Sequence, residues 1–537
     1  MKINKLIAVI MITLSEAVAA LGLVSFTSCE TMELELTDNP NALSPAQADA
    51  TFFINSIQVD FAFWVNTMGS RSAALTRINQ LSGRNYAQVY NPATFDGVWR
   101  NAYQGMMEDI RLMNILADEA GLTTHKGMGQ VLKAYTLVTL VDHFGNIPYS
   151  EALLGAENLA PNADSGDTVY AAALAILDDA VANLGAGGPT PSVDFFYSGD
   201  TAKWIKAANS IKKKIHYTTG NASAFNAVTN YIETEADDFQ FQWGTNEVQP
   251  DTRHPSYRSS YTATGGGTYM SNWLMNTMQV GHGSTKDPRM AYYFYRQVSA
   301  TPGFGGEPAN EEVLECGLQT APFHYLASNE VFCGLSDGYW GRDHGNSDGI
   351  PPDGFLRTLH GVYPAGGTFD DRSFDGQVNG DGLGGKGITP VMLSSWMDFM
   401  NAYMNPSEMK ASTLAGVKKS IEKADSLGGP ALDAADVDAY VALVEADYDA
   451  ASASGKADLW AQEYWISMWG NGIDAYNTYR KTGLPSTLQP NIEPEPGTFP
   501  QLMYYPANYA NTNANVTQRA DLSERPFWNT NGPSNLK

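Results

Sequence analysis

Apolar residues recur every three or four positions along much of the chain. Phe95, Val98, Trp99, Tyr103, Met106, Ile110, Met113 and Leu116 follow that spacing, which lines one face of a helix. Val169, Ala173, Ile176, Leu177, Val181 and Leu184 repeat it, as do Trp204, Ala208, Ile211 and Ile215. Each stripe needs a neighbour to bury it. The turns between stripes are short and rich in Gly, Pro and Asn, so consecutive helices are predicted to pack as antiparallel hairpins. Ser44-Pro45 opens the first helix, serine as cap and proline in the first turn. Between about 240 and 390 the period fades into glycine clusters (Gly265 to Gly267, Gly366-Gly367, Gly384-Gly385) and isolated aromatics. That stretch predicts loops with short strands and helix fragments, and long loops in a compact domain usually serve function. Helices return over 389–401, 436–451 and 456–480, the last carrying Trp460, Tyr464, Met468, Trp469, Ile473 and Tyr476. The tail from Leu484 has six prolines by Pro506 and reads as an extended cover over the helices. The fold class is therefore mainly α with one long irregular segment.

The amino terminus carries a different pattern. Lys2 and Lys5 precede an apolar run over 6–24, and small residues stand before Cys29 in Phe26-Thr27-Ser28-Cys29, the layout of a cleaved secretory leader. Ser15 and Glu16 interrupt the run, and a charge at mid-bilayer costs roughly 2.5 to 3.5 kcal/mol, which disfavours a permanent span. Cys29 is then the first mature residue and the lipidation site, carrying palmitate or a similar acyl chain. Residues 1–28 form the leader, 29–43 an acidic tether, and 44–537 one domain: helical over 44–235, loop-rich over 240–390, helical over 390–482, extended over 484–537.

Charge narrows the partners. With 58 acidic and 33 basic residues the net charge is −25, a surface that repels phosphate backbones and anionic lipid, so nucleic acid is excluded and membrane attachment falls to the lipid. A hydrophobic fraction of 43% supplies a full core. Beyond Cys29 only Cys316 and Cys333 remain, and a disulfide and two buried thiols both fit.

Three further stretches, with the lipoprotein start, resemble the SusD/RagB family of outer-membrane lipoproteins of Bacteroidetes-type bacteria. The first, 135–152, ends in Phe144-Gly145-Asn146-Ile147-Pro148-Tyr149-Ser150-Glu151-Ala152. The second is 204–214 with Ala208-Asn209-Ser210, and the third, 469–485, holds Gly472, Asp474-Ala475-Tyr476-Asn477, Tyr479-Arg480 and Gly483-Leu484-Pro485. Each also has a structural reading: Pro148 stops a helix, and Arg480 suits a helix carboxyl end. The resemblance implies four stacked hairpins like those of tetratricopeptide repeats. It also implies a non-catalytic, lipid-anchored binding protein on the extracellular face of the outer membrane, the lid of a SusC-like TonB-dependent transporter. Its implied cargo is an oligosaccharide, with peptide as the alternative; a surface adhesin is the rival without a cargo site.

G-x-S-x-G occurs twice, at Gly334-Leu335-Ser336-Asp337-Gly338 and Gly345-Asn346-Ser347-Asp348-Gly349, but within the glycine-rich loop stretch and not between a strand and a helix. No H-E-x-x-H helix or P-loop occurs, so no catalytic residue is assigned. A surface glycosidase would need two carboxylates across a cleft. Asp375, Asn379 and Asp381, with Gly380 between them, are spaced like a calcium loop, but Lys386 stands where the closing glutamate belongs. A structural calcium and a solvated turn both stay open there. The loop Trp340-Gly341-Arg342-Asp343-His344 reads as a hydrogen-bonded knot or part of a ligand site. Sugar binding needs exposed aromatic faces beside amides and charges. The loop candidates are Tyr86, Tyr90, Tyr257, Tyr261, Tyr269, Trp273, Tyr339 and Trp340, with Arg84, Asn85, Arg258 and Arg342 as polar contacts.

The anchor is tested by Cys29→Ser. The unsubstituted protein is expected in the detergent phase of a cloud-point extraction with an acylated amino-terminal peptide, and the variant in the aqueous phase. Equal partitioning of the two refutes the lipid anchor.

Overall fold

The helical stripes set the frame, and the computed structural model describes residues 49–303, 314, 316, 319–346 and 356–537. Ten described helices of ten or more residues are numbered here in chain order. They are α1 (Ala50–Leu75), α2 (Glu108–Ala120), α3 (Thr123–Phe144), α4 (Gly166–Gly185), α5 (Thr201–Thr219), α6 (Ser394–Met404), α7 (Met409–Ala424), α8 (Ala434–Ala450), α9 (Ala453–Ser467) and α10 (Ile473–Thr482). A short helix (Asp96–Arg100) and a π-helical stretch (Asn101–Met107) run directly into α2. Along the chain α1 packs on α2, α2 on α3, α3 on α4 and α4 on α5; α6 packs on α7, and α7 on α8 and α9. This is the stacked-hairpin layer, and contacts of α5 with α6 and of α1 with α10 join its two halves. By length and composition α4 could cross a membrane; here one face of it packs against α3 and α5.

Among its described residues the middle segment forms three small antiparallel pairs. Strand β1 (Phe239–Gln242) pairs with β6 (Ile388–Met392), β2 (Tyr261–Thr262) with β3 (Gly265–Gly266), and β4 (Phe294–Tyr295) with β5 (Leu359–His360). Short helices punctuate the rest, and Cys316 is disulfide-bonded to Cys333.

Several boundaries differ from the sequence reading. The start expected at Ser44-Pro45 lies outside the described residues. Residues 389–392 are strand, because their backbone pairs with β1, and α6 begins only at Ser394. Helix α7 was not expected. The stripe over 456–480 is two helices broken at 468–472. Gly470 takes φ 103°, and a Cβ on Gly472 would lie 2.4 Å from the Ala73 backbone. The break lets the chain cross α1 at contact distance, with Gly472 N–H donating to the Gly69 carbonyl at 3.2 Å.

The three family-like stretches meet in one buried polar cluster. Lys214 of α5 is ion-paired with Asp474 of α10, and both are buried. Asp142 of α3 accepts from Asn477 Nδ2 at 2.7 Å, from the Tyr170 hydroxyl and from Trp528 Nε1 at 3.1 Å. Arg480, fully buried rather than at an exposed helix end, donates to Asn477 Oδ1 at 2.6 Å and to the Gln501 carbonyl. Its guanidinium stands 3.8 Å from the Tyr476 ring centroid. His143 donates through Nδ1 to the Thr139 carbonyl (2.8 Å) and accepts from Ser72 Oγ (2.9 Å); burial lowers its pKa to about 3, so it is neutral.

A second cluster joins the middle segment to α8 and α9. His282 contacts Asp447 at 2.8 Å and Glu463 at 3.1 Å, and Glu463 also pairs with Arg289 at 2.7 Å. Burial lowers the His282 pKa, but the hydrogen bonds and charges of Glu463 and Asp447 outweigh it and raise it to about 9.

Two predictions follow from these clusters. Asp474→Ala leaves the Lys214 ammonium buried and unpaired, and the expected loss is about 3–5 kcal/mol in urea unfolding. Lys214→Met on the same chain is expected to recover part of it, and a loss under about 1 kcal/mol refutes the role. For His282 the raised pKa means a contribution fully present below the ordinary pKa of 6.5 and lost as pH rises through about 9. The melting temperature is expected to fall between pH 7 and pH 9.5 more steeply in the unsubstituted protein than in His282→Gln. Parallel curves count against it.

Candidate functional site

A cleft of about 310 Å³ opens where α1 ends against the glycine-rich middle segment. Its position follows from the chain beyond Leu75. Arg77 takes φ 62°, and its buried guanidinium donates to the Leu75 carbonyl (2.6 Å) and the Gln489 carbonyl (2.7 Å). Asn79, whose N–H reaches the Ala73 carbonyl at 3.1 Å, then forms a bridge with Met270. Opposite stands the helix Pro255–Ser260. A Cβ on Gly267 would lie 2.4 Å from the Ser259 carbonyl oxygen, so only glycine lets the 267–271 wall approach that helix.

The floor is aromatic. His360 stacks on Trp469 at 5.2 Å and 21°, and Trp469 Nε1 donates to the Tyr363 carbonyl at 3.1 Å. Burial lowers the His360 pKa to about 4, so the ring is neutral. The walls are uncharged hydrogen-bonding groups: Ser70 and Ser82, Asn79 and Gln80 on one side, Ser256, Ser259, Thr268 and Ser271 on the other. Asn79 Nδ2 donates to Ser70 Oγ (3.1 Å) and Gln80 Nε2 to the Asn346 carbonyl (2.8 Å), which orients both amides. His360 Nδ1 and Thr268 Oγ1 are buried without a protein hydrogen-bond partner, and buried polar groups in that state call for water or ligand. Tyr269 closes one end, with the Arg342 and Arg357 guanidiniums each 3.9 Å from its ring centroid and Arg342 Nη2 on its hydroxyl at 3.0 Å. Among the described residues no Asp, Glu, Lys or Arg lines the cleft. The lining can hold a neutral polyhydroxylated or amidated molecule, and it brings no carboxylate pair or activated nucleophile to it.

Gln80 connects the cleft to a second cavity of about 130 Å³, lined by Asn346, Arg84, Gln319, Thr320, Pro322 and Phe332 on the disulfide-closed side. Beside it the short helix Phe323–Ser328 presents Phe323, 84% exposed.

Of the residues singled out in the sequence, Tyr269 lines the cleft and Arg84 the adjoining cavity. The expectation of exposed rings is corrected for Tyr86, Tyr90, Tyr257, Tyr261, Tyr339 and Trp340, which are all buried. Each has a structural partner. Tyr86 hydroxyl meets His344 Nε2 at 3.0 Å, and Tyr90 hydroxyl donates to the Arg71 carbonyl at 2.8 Å. Tyr257 and Tyr261 stack on each other at 4.4 Å. Tyr339 hydroxyl donates to Asp370 at 2.9 Å, and Trp340 packs with Val298, Leu314 and Cys333. Arg342 is buried behind Tyr269. Asn85 caps the helix Tyr86–Val89, Arg258 stands over Phe63 at 5.5 Å, and Trp273 packs half-buried against the core. The Asp343-His344 loop is a structural knot, with Asp343 accepting from Asn272 Nδ2 (3.0 Å) and the Cys333 N–H (2.8 Å).

The calcium reading is corrected as well. Arg253 donates to Asn379 Oδ1, Asp381 accepts from the Val378 N–H at 2.7 Å, and Gly380 N–H donates to Tyr257 hydroxyl at 2.9 Å. The Asp375 backbone carbonyl accepts from Tyr295 hydroxyl at 3.1 Å. An arginine thus occupies the flank a cation would need, and no cluster of three acids, histidines or cysteines exists among the described residues.

Sequence reasoning missed the small polar walls and the His360–Trp469 floor. Serines and amides in loops carry no periodic signal, and Trp469 reads as part of an apolar stripe.

A family model described as SusD-like, "Starch-binding associating with outer membrane", matches residues 40–314. Among solved structures, a chitin-binding protein superposes with a TM-score of 0.63 at 17% identity, covering 90% of this chain and 100% of its own. A chitin-binding SusD homolog from Flavobacterium johnsoniae gives 0.60 at 17% identity, covering 90% and 99%. A SusD homolog from Bacteroides uniformis gives 0.62 at 18% identity, covering 90% and 100%. No curated protein matches the sequence.

Proposed function

The chain belongs to the SusD-like family, described as starch-binding and associating with the outer membrane, and from that premise we propose that its cleft captures a neutral glycan at the cell surface. One observation carries the reading: uncharged hydroxyls and amides converge over an aromatic floor in a strongly acidic protein. Hydroxyl and amide walls match sugar hydroxyls and acetamido groups, and the flat floor matches the apolar face of a pyranose ring. Two fold neighbours described as chitin-binding support a glycan over a peptide. As a member of a family defined by binding, the protein is a binding protein and not an enzyme.

In this reading Cys29 carries the lipid, 29–43 is the tether, and the domain is the lid of a SusC-like TonB-dependent transporter on the extracellular face. Closure of the lid over its cargo would be a population shift driven by ligand and partner contacts.

Calorimetry against starch- and chitin-derived oligosaccharides tests the cleft. Asn79→Ala with Gln80→Ala removes two oriented amides, at about 0.5–1.5 kcal/mol each, so affinity is expected to fall about tenfold while thermal stability holds. Because His360 stays neutral above its pKa of about 4, that affinity is expected to be flat from pH 5.5 to pH 8. Unchanged affinity in the double variant refutes the cleft. Co-purification of a large β-barrel partner in mild detergent tests the lid.

A further inference from the structure

We propose that a separate cavity, between the α2–α3 hairpin and the loop after α3, binds a small carboxylic acid with an apolar body of leucine size, its carboxylate on Lys133. The cavity holds about 200 Å³. Met107, Leu137, Pro148 and Leu153 give it apolar walls, Arg111 and Asn114 line the α2 side, and Tyr149 closes it beside the Lys133 ammonium, 5.8 Å from the ring centroid. Pro148 and Tyr149 belong to the stretch that stops α3, so the turn that ends the helix also builds the wall.

Lys133 borders this cavity without a carboxylate, whereas Lys126, Lys206, Lys212 and Lys214 hold carboxylates and Lys213 donates to the Phe225 carbonyl at 2.9 Å. Lys133 is half-buried, and among the described residues it has neither an acid partner nor a hydrogen bond. Burial lowers its pKa. The neighbouring Arg111 is already engaged by Glu108 at 2.7 and 2.9 Å, so Lys133 is the open charge. The Tyr149 hydroxyl likewise has no partner among the described residues and can donate to the same anion. In a chain of net charge −25, a desolvated cation without an acid is costly unless an anion completes it. One open positive charge beside apolar walls fits a monoanion with an apolar body, and a dianion leaves one charge unmatched. The site shares no lining residue with the glycan cleft, so it stands or falls independently of it.

The probes are 4-methylpentanoate and its uncharged amide, titrated by calorimetry and by thermal shift against the full chain. Saturable binding of the acid and none of the amide is expected. Lys133→Met, an apolar replacement of similar length, is expected to weaken the acid about tenfold or more with the circular dichroism spectrum unchanged, and Lys133→Arg to retain binding. Ala152→Phe, which fills the cavity and leaves the charge, is expected to abolish binding as well. Equal binding of acid and amide, acid binding that survives Lys133→Met or Ala152→Phe, or no saturable binding of the acid would each overturn the proposal.

Discussion

The fold turns on a small set of buried charged and amide groups that can be satisfied only together. Asp142, Lys214, Asp474, Asn477 and Arg480 come from three helices far apart in the chain, and no apolar packing supplies a substitute for the partners they need. Arg480 reaches the Gln501 carbonyl, Asn529 Nδ2 donates to the Arg480 carbonyl at 2.8 Å, and Trp528 reaches Asp142, so the carboxyl-terminal tail completes the cluster. Hydrophobic stripes would allow neighbouring helices to slide or re-pair. A buried ion pair and its hydrogen bonds are satisfied in one arrangement, which specifies α3, α5 and α10 relative to each other.

The cleft inherits its geometry from that closure. Where α10 crosses α1, Gly69 and Gly472 bring the backbones into contact, and Asn471 Nδ2 donates to the Pro390 carbonyl at 3.0 Å. Trp465 Nε1 donates to the Thr76 carbonyl at 2.7 Å on the same crossing. Trp469 therefore arrives beneath Ser70 and Asn79 as part of a rigid junction, and the His360 ring is laid on it by β5. A binding surface built on such a junction is pre-organised, which lowers the ordering cost of capturing a flexible ligand.

Charge is sorted by position. Buried acids are held in hydrogen-bonded or ion-paired clusters, such as Glu463 with His282 and Arg289. Around the cleft the arginines that could have charged it are held against the Tyr269 ring instead, and the one titratable ring on the floor is kept neutral by burial. A neutral lining inside an acidic protein favours uncharged ligands over polyanions at the cleft, while the isolated Lys133 cavity offers the opposite chemistry on the helical side.

What the sequence by itself determined was local: the helical period of the stripes, its fading in the middle segment, and three stretches whose residues mark the family. A side chain that steps by three or four shows its helix without reference to anything distant. Only the tertiary structure decided that Arg480, which suits a helix carboxyl end, joins Asp142 and Lys214 in one buried cluster, and that 456–480 breaks to let α10 cross α1. It also decided which loop aromatics face solvent. Tyr86, Tyr257 and Trp340 looked like platforms because loops are usually exposed, yet each is covered by residues from remote segments. Burial in an aperiodic segment is set by neighbours far along the chain, as with the 2.7 Å bond from Tyr261 hydroxyl to the His360 carbonyl, 99 positions away. The small polar groups that make the cleft converge for the same reason, and no spacing along the chain records it.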